Sequence, residues 1–197
     1  MVPRDEYLKR QHTAWRKAAE QGLAVLVCVG GPFYERPADV AYLTGHLPAF
    51  PTAESCPVRR GAGHAAVVLD ATGAVLLVDT PHYREDLVVA SEVVATADLW
   101  GELARRLRGR FGPVGCAGSD VLPWEAARCL EEAGVQLVPA DRVVRELRRV
   151  KSPAEVELLR QACLCAREVL LAAAAACLPG TPEGEVAAQG AAAGYLR

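Results

Sequence analysis

Val144-Arg-Glu-Leu-Arg-Arg-Val-Lys-Ser-Pro-Ala-Glu-Val-Glu-Leu-Leu-Arg-Gln-Ala162 divides this chain into two kinds of sequence. Inside it, Ser152-Pro-Ala-Glu155 reads as a capping box: Ser at the cap, Pro at the first helical position, Glu two residues later to reach back to the cap. A long helix to about Leu178 follows. Pro179-Gly180 breaks it, and Thr181-Pro-Glu-Gly184 starts another helix. Everything after the box is therefore helical. Before it, Asp141–Val150 reads as a basic helix, and upstream of that helices and strands alternate.

Working back from the box, Val135–Val138 reads as a strand and Gly134 ends a helix that Pro123 opens. Val114–Ala117 is a short strand, and Asp98 caps a helix running to about Gly109. Leu87–Ala95 is a strand candidate. His64–Leu69 and Ala74–Val78, joined by Asp70-Ala-Thr-Gly73, form a hairpin. Leu23–Val29 is a nearly continuous apolar run closed by Gly30-Gly31-Pro32, the pattern of a strand buried on both faces. Residues 4–21 read as a helix with Leu8, Trp15 and Ala18 or Ala19 on its inward face. The order predicts an α/β domain: a mixed β-sheet flanked by helices. Residues 46–63, rich in Pro and Gly, form a long connection, and connections of that length are more often functional than accidental.

Composition narrows the function classes. The chain has 197 residues, 51% of them hydrophobic, 23% charged, with a formal net charge of -2. This suits an aliphatic core and gives no reason to expect nucleic acid or membrane as a partner. Arg142, Arg145, Arg148, Arg149 and Lys151 make a positive patch, but Asp141 and Glu146 interleave and no aromatic platform accompanies them. Residues 1–21 are charged throughout and lack the apolar core of a secretory signal. The run Val169–Leu178 is too short to cross a bilayer. A cytoplasmic protein is expected. Its seven cysteines, with no CxxC pair, are expected mostly as buried free thiols. Two other readings are weaker. Asp79, His82, His64 and Asp70 flank the hairpin without the spacing of a metal site. Cys56, with His46 and His64 nearby in sequence, lacks any local motif of a catalytic thiol.

Three segments carry a resemblance to a known family. Arg36-Pro-Ala-Asp-Val-Ala-Tyr-Leu-Thr-Gly45 resembles the Asn/Asp-x-x-Tyr-Leu-Thr-Gly segment of the N-terminal domain of creatinase and Xaa-Pro peptidases (aminopeptidase P, prolidase). Residues 144–162 are similar to that family's interdomain hinge. Pro179–Ala188 looks like the turn and helix that follow. The resemblance implies a creatinase/prolidase N-terminal domain, ribonuclease H-like, over residues 1–140, a hinge over 141–151, and over 152–197 the opening helices of an incomplete catalytic domain of the pita-bread fold.

The same resemblance implies a non-catalytic half of a Xaa-Pro peptidase-like metallohydrolase that serves oligomerisation, a dimer by expectation, and the substrate entrance. It implies two divalent metal ions (Mn, Co or Zn) in the whole protein, on an Asp, Asp, His, Glu, Glu set in the later part of the catalytic domain. No ligand can be carried over to this chain, where only Glu183 and Glu185 are acidic after Leu178 and no His follows it. The partner is then the catalytic domain itself, and the chain is expected to be inactive alone. His46, Phe50, Arg59 and Arg60 are the candidates for the substrate entrance, Arg being suited to a substrate carboxylate. The alternatives are a protein-interaction module of the same fold, as in histone-chaperone subunits, or the N-domain of a creatinase- or ectoine-type amidohydrolase.

Overall fold

The computed structural model describes residues 2–31, 38–48, 60–79 and 83–195. Pro3–Val150 forms one compact unit, and the helices after Lys151 form another.

In the first unit, β1 (Val25–Gly30), β2 (Ala65–Asp70), β3 (Gly73–Val78), β4 (Glu92–Ala95), β5 (Val114–Ala117) and β6 (Leu137–Pro139) make one sheet in the order β4-β3-β2-β1-β5-β6. β2 runs antiparallel to β1 and β3, and the other pairings are parallel. Five strands thus point one way. Their carboxyl ends, with the amino end of β2, share one edge of the unit.

Helices cover both faces, and strand alternation decides which residue meets which helix. On one face α1 (Arg4–Ala19), α2 (Ala38–Thr44) and α5 (Asp141–Arg149) supply Ala14, Ala18, Leu43, Val143 and Val144 to a core shared with Leu26, Cys28, Val67, Leu69 and Leu76. On the other, α3 (Leu99–Leu107) and α4 (Trp124–Glu132) bring Leu99, Trp100, Leu103 and Leu130 against Val25, Val27, Val29, Val68 and Leu77. β1 is buried on both sides along its whole length, which is why its sequence is a continuous apolar run rather than an alternating one.

Three sequence expectations need correction. The inward face of α1 is not Leu8, which is 44% exposed, but Arg10, Gln11, Ala14 and Ala18. Gln11 goes inside because its Nε2 donates to the carbonyls of Leu43 and Val89, both at 2.8 Å. Arg10 donates to Tyr42 O at 3.1 Å, pairs with Glu6 and lies over the Tyr42 ring at 4.2 Å. Buried carbonyls need donors, and that need outranks side-chain hydrophobicity here. The strand candidate Leu87–Ala95 shortens to Glu92–Ala95: Leu87 and Val88 donate to Arg84 O in a turn, and Val89 N is spent on Thr44 O. Among the thiols, Cys28 and Cys116 are buried, whereas Cys163 and Cys177 are exposed. Cys163 stands on a helix that buries none of its side chains, and Cys177 caps the end of that helix.

That helix, α6 (Pro153–Ala176), begins as expected. Ser152 Oγ accepts from Glu155 N, and the Glu155 carboxylate accepts from Ser152 N at 2.9 Å. α7 (Glu183–Tyr195) returns along it through small residues. A Cβ on Gly190 would stand 3.3 Å from Ala173 Cβ, and one on Gly194 would stand 2.9 Å from Val169 Cγ2. Leu159, Leu164, Leu170 and Leu171 remain exposed.

Candidate functional site

The carboxyl end of the sheet gathers the residues with chemistry to offer. In open α/β sheets that end is where ligands and partners are met. Thr44 and Gly45 close α2: Thr44 Oγ1 donates to Val40 O at 2.8 Å, and Gly45 takes φ +74° with Leu87 O only 2.5 Å from where a Cβ would stand. A side chain there would be both strained and obstructed, so glycine is required.

His46 follows and is 4% exposed, with its N–H donating to Thr44 Oγ1 at 3.2 Å. Burial lowers its pKa to about 4, outweighing the opposite pull of the Asp79 carboxylate. It is therefore a neutral imidazole at physiological pH. Asp79, just beyond β3, accepts from Gly63 N at 2.7 Å and so ties the approach to β2. His64 stands edge-on to Trp100, with ring centroids 5.4 Å apart.

Arg60 sits on the opposite helical face from His46. Its Nε donates to Glu125 Oε1 at 2.6 Å, and Nη1 approaches Asp98 Oδ2 at 3.3 Å. Its backbone bridges the start of α3: Arg60 N donates to Ala97 O and Leu99 N donates to Arg60 O, both at 2.9 Å. The Glu125 hydrogen bond, ahead of the cost of burial and the Asp98 charge, raises the guanidinium pKa further above its usual value. The two described ends of the 46–63 connection are thus fastened to opposite faces of the sheet, His46 beside α2 and Arg60 beside α3 and α4. Phe50, Arg59 and Cys56, and also His82, lie outside the described residues.

A second cluster sits where β5 ends. The Asp141 carboxylate accepts from Gly118 N at 2.9 Å, Ser119 N at 3.1 Å and Ser119 Oγ at 2.6 Å. Burial alone would raise its pKa, but the Ser119 and Gly118 donors win and hold it below the usual value. Nothing in the sequence singled out this pairing, since Ser119 and Asp141 are 22 residues apart. Burial raises the Cys116 thiol to about 12 and Cys28 well above the normal thiol range, which disfavours the thiolate at both. Among the described residues no three His, Cys, Asp or Glu side chains are placed to hold a metal ion. Nor is any described helix long and apolar enough to cross a membrane.

The architecture is that of an α/β domain, and among the described residues the carboxyl ends of its strands carry the structural ties of Asp79, Arg60 and Asp141. Residues 12–150 match the family model of the creatinase/prolidase N-terminal domain, and the chain belongs to that family. Comparison with curated proteins finds no match. Among solved structures, the chain is similar to the prolidase from Pyrococcus horikoshii OT3, with a TM-score of 0.71 and 19% identity over 95% of this chain and 48% of that one. The prolidase from Pyrococcus furiosus gives 0.72 and 20% over 94% of this chain and 52% of that one. Dipeptidase PepE from Mycobacterium ulcerans gives 0.67 and 27% over 99% of this chain and 50% of that one. The chain spans about half the length of these relatives.

Proposed function

We propose that this chain is the non-catalytic N-terminal half of a Xaa-Pro peptidase-like metallohydrolase, and that it frames the substrate entrance instead of performing chemistry. The observation that carries this reading is the pattern of coverage: the likeness to prolidases takes in nearly all of this chain and about half of theirs. In this reading residues 1–140 are the N-terminal domain, 141–151 the hinge, and 152–197 the opening helices of a pita-bread catalytic domain. The two divalent metals would lie on residues beyond this sequence.

The entrance would be built from the 46–63 connection. His46 and Arg60 anchor its ends through burial and ion pairing, while Phe50 and Arg59 are the side chains proposed to face substrate. Arg60 already holds Glu125 and Asp98, so Arg59 is the better candidate for a substrate carboxylate. Homo-oligomerisation belongs to the same proposal. A cytoplasmic location is supported by buried thiols without disulfide partners among the described residues.

The test is to read the coding sequence past residue 197. A continuation of about 200 residues, the size of a second large domain, with spaced Asp, Asp, His, Glu and Glu would support a dinuclear metallohydrolase. Its absence would turn the reading to an interaction module of the same fold.

A further inference from the structure

We infer that α2 is a coupling element. Through the Asp39–Arg148 ion pair it makes the packing of α5 and the placement of Gly45 and His46 at its own carboxyl end interdependent. The inference goes beyond the proposed function and does not rest on it. Two of the segments that carry the family resemblance meet at Asp39 and Arg148. Asp39, on α2, accepts a hydrogen bond from Arg148 Nη1 at 2.5 Å, with the Asp39 side chain 9% and the Arg148 side chain 38% exposed. One turn further along α2, the Tyr42 hydroxyl donates to Leu147 O at 3.3 Å. Tyr42 O accepts from Arg10, whose guanidinium also stacks on the Tyr42 ring. α2 therefore carries α5 on one side and α1 on the other.

Its end is where the 46–63 connection begins. Gly45 N donates to Ala41 O at 2.8 Å, and His46 N donates to Thr44 Oγ1. A seven-residue helix is too short to be stable alone. It holds its shape through these ties, so loosening the tie to α5 has to be felt at its carboxyl end. α5 is fastened independently at its own amino end, by Asp141 in the Gly118–Ser119 nest. Loss of the Arg148 contact therefore leaves α5 attached there, and the disturbance is directed into α2. Arg148 is a positioning residue on this account. It acts on His46 through Asp39 and α2, over a contiguous chain of contacts.

Amide hydrogen exchange on this chain tests the coupling. Arg148→Ala and Asp39→Asn should each speed exchange at Gly45 and His46 about tenfold or more, while Val27 and Val67 in the sheet keep wild-type protection. The double variant should add little to the larger single effect, and Arg148→Lys should restore part of the protection. Acceleration confined to α5 amides would overturn the inference. So would uniform acceleration that reaches Val27 and Val67, because that is a general loss of stability. Asp39→Asn, which removes the charge and keeps the shape, serves if Arg148→Ala does not fold.

Discussion

The sheet unit and the helical pair after Lys151 are both rich in Ala, Val and Leu, yet they spend that composition in opposite ways. In the first unit every strand from β1 to β3 and each of α3, α4 and α5 delivers side chains to a core on one face of the sheet or the other. In the second, α6 buries no side chain, and Gly190 is the one buried residue of α7 among the described residues. A helix that is apolar on several sides is written for burial on several sides. The contrast teaches that hydrophobic content alone does not make a core. The sheet unit holds its own complement of partners, whereas α6 meets α7 through small residues and leaves its leucines uncovered.

The sharpest way to break this comparison is to remove one large side chain from each region. Trp100→Ala, which empties a site 1% exposed beneath α3, should cost about 3–5 kcal/mol in urea denaturation. A loss below about 1 kcal/mol would mean that the α3 face is not a packed core.

The next effect is on pH. His46 has its folded pKa lowered to about 4, against an unfolded value of about 6.5. A histidine with a depressed folded pKa contributes stability above its unfolded pKa and loses it as pH falls through the window from about 6.5 to about 4. That window should remove roughly 3 kcal/mol from the sheet unit. His46→Asn should flatten the wild-type dependence over the same range. Identical pH profiles for the two proteins would show that the imidazole is not held neutral by burial.

The smallest expected effect lies on the other side of the comparison. Leu170→Ala, at a side chain 68% exposed, should change stability by no more than about 0.5 kcal/mol. A loss of several kcal/mol in the isolated chain would show that α6 is covered by something, for example a second copy.

Much of the fold was legible because its signals are local. The buried run at β1, the hairpin around Asp70–Gly73, the Asp98 cap and the Ser152–Glu155 box each declare themselves within a few residues, and each stands where the sequence puts it. What escaped was set by contacts distant in sequence. Gln11 reaches inward for Val89 O, 78 residues away, and no periodicity within α1 announces that. Leu87–Val89 of the strand candidate were lost to Thr44 O and a turn, again a tertiary decision.

The site divides in the same way. The Asp39-x-x-Tyr-Leu-Thr-Gly45 segment could be recognised from sequence, but the reason for each of its residues appears only in the packing. Asp39 holds Arg148, Tyr42 holds Leu147 O, Leu43 lies in the core, Thr44 caps its own helix, and Gly45 must avoid Leu87 O. His46 and Arg60 were expected at the substrate entrance; the packing adds that His46 is buried and that Arg60 pairs with Glu125. The Asp141 nest had no sequence signal, since backbone N–H groups are invisible in a string of side chains.

The central claim is that this chain frames a reaction performed by residues it does not contain. Hydrolysis of Xaa-Pro dipeptides and N-terminal Xaa-Pro peptides should be measured for this 197-residue chain and for the longer protein proposed above, each with Mn, Co or Zn and again with a chelator. The account predicts no turnover by the chain alone and chelator-sensitive turnover by the longer protein. Metal-dependent cleavage by the chain alone would contradict it.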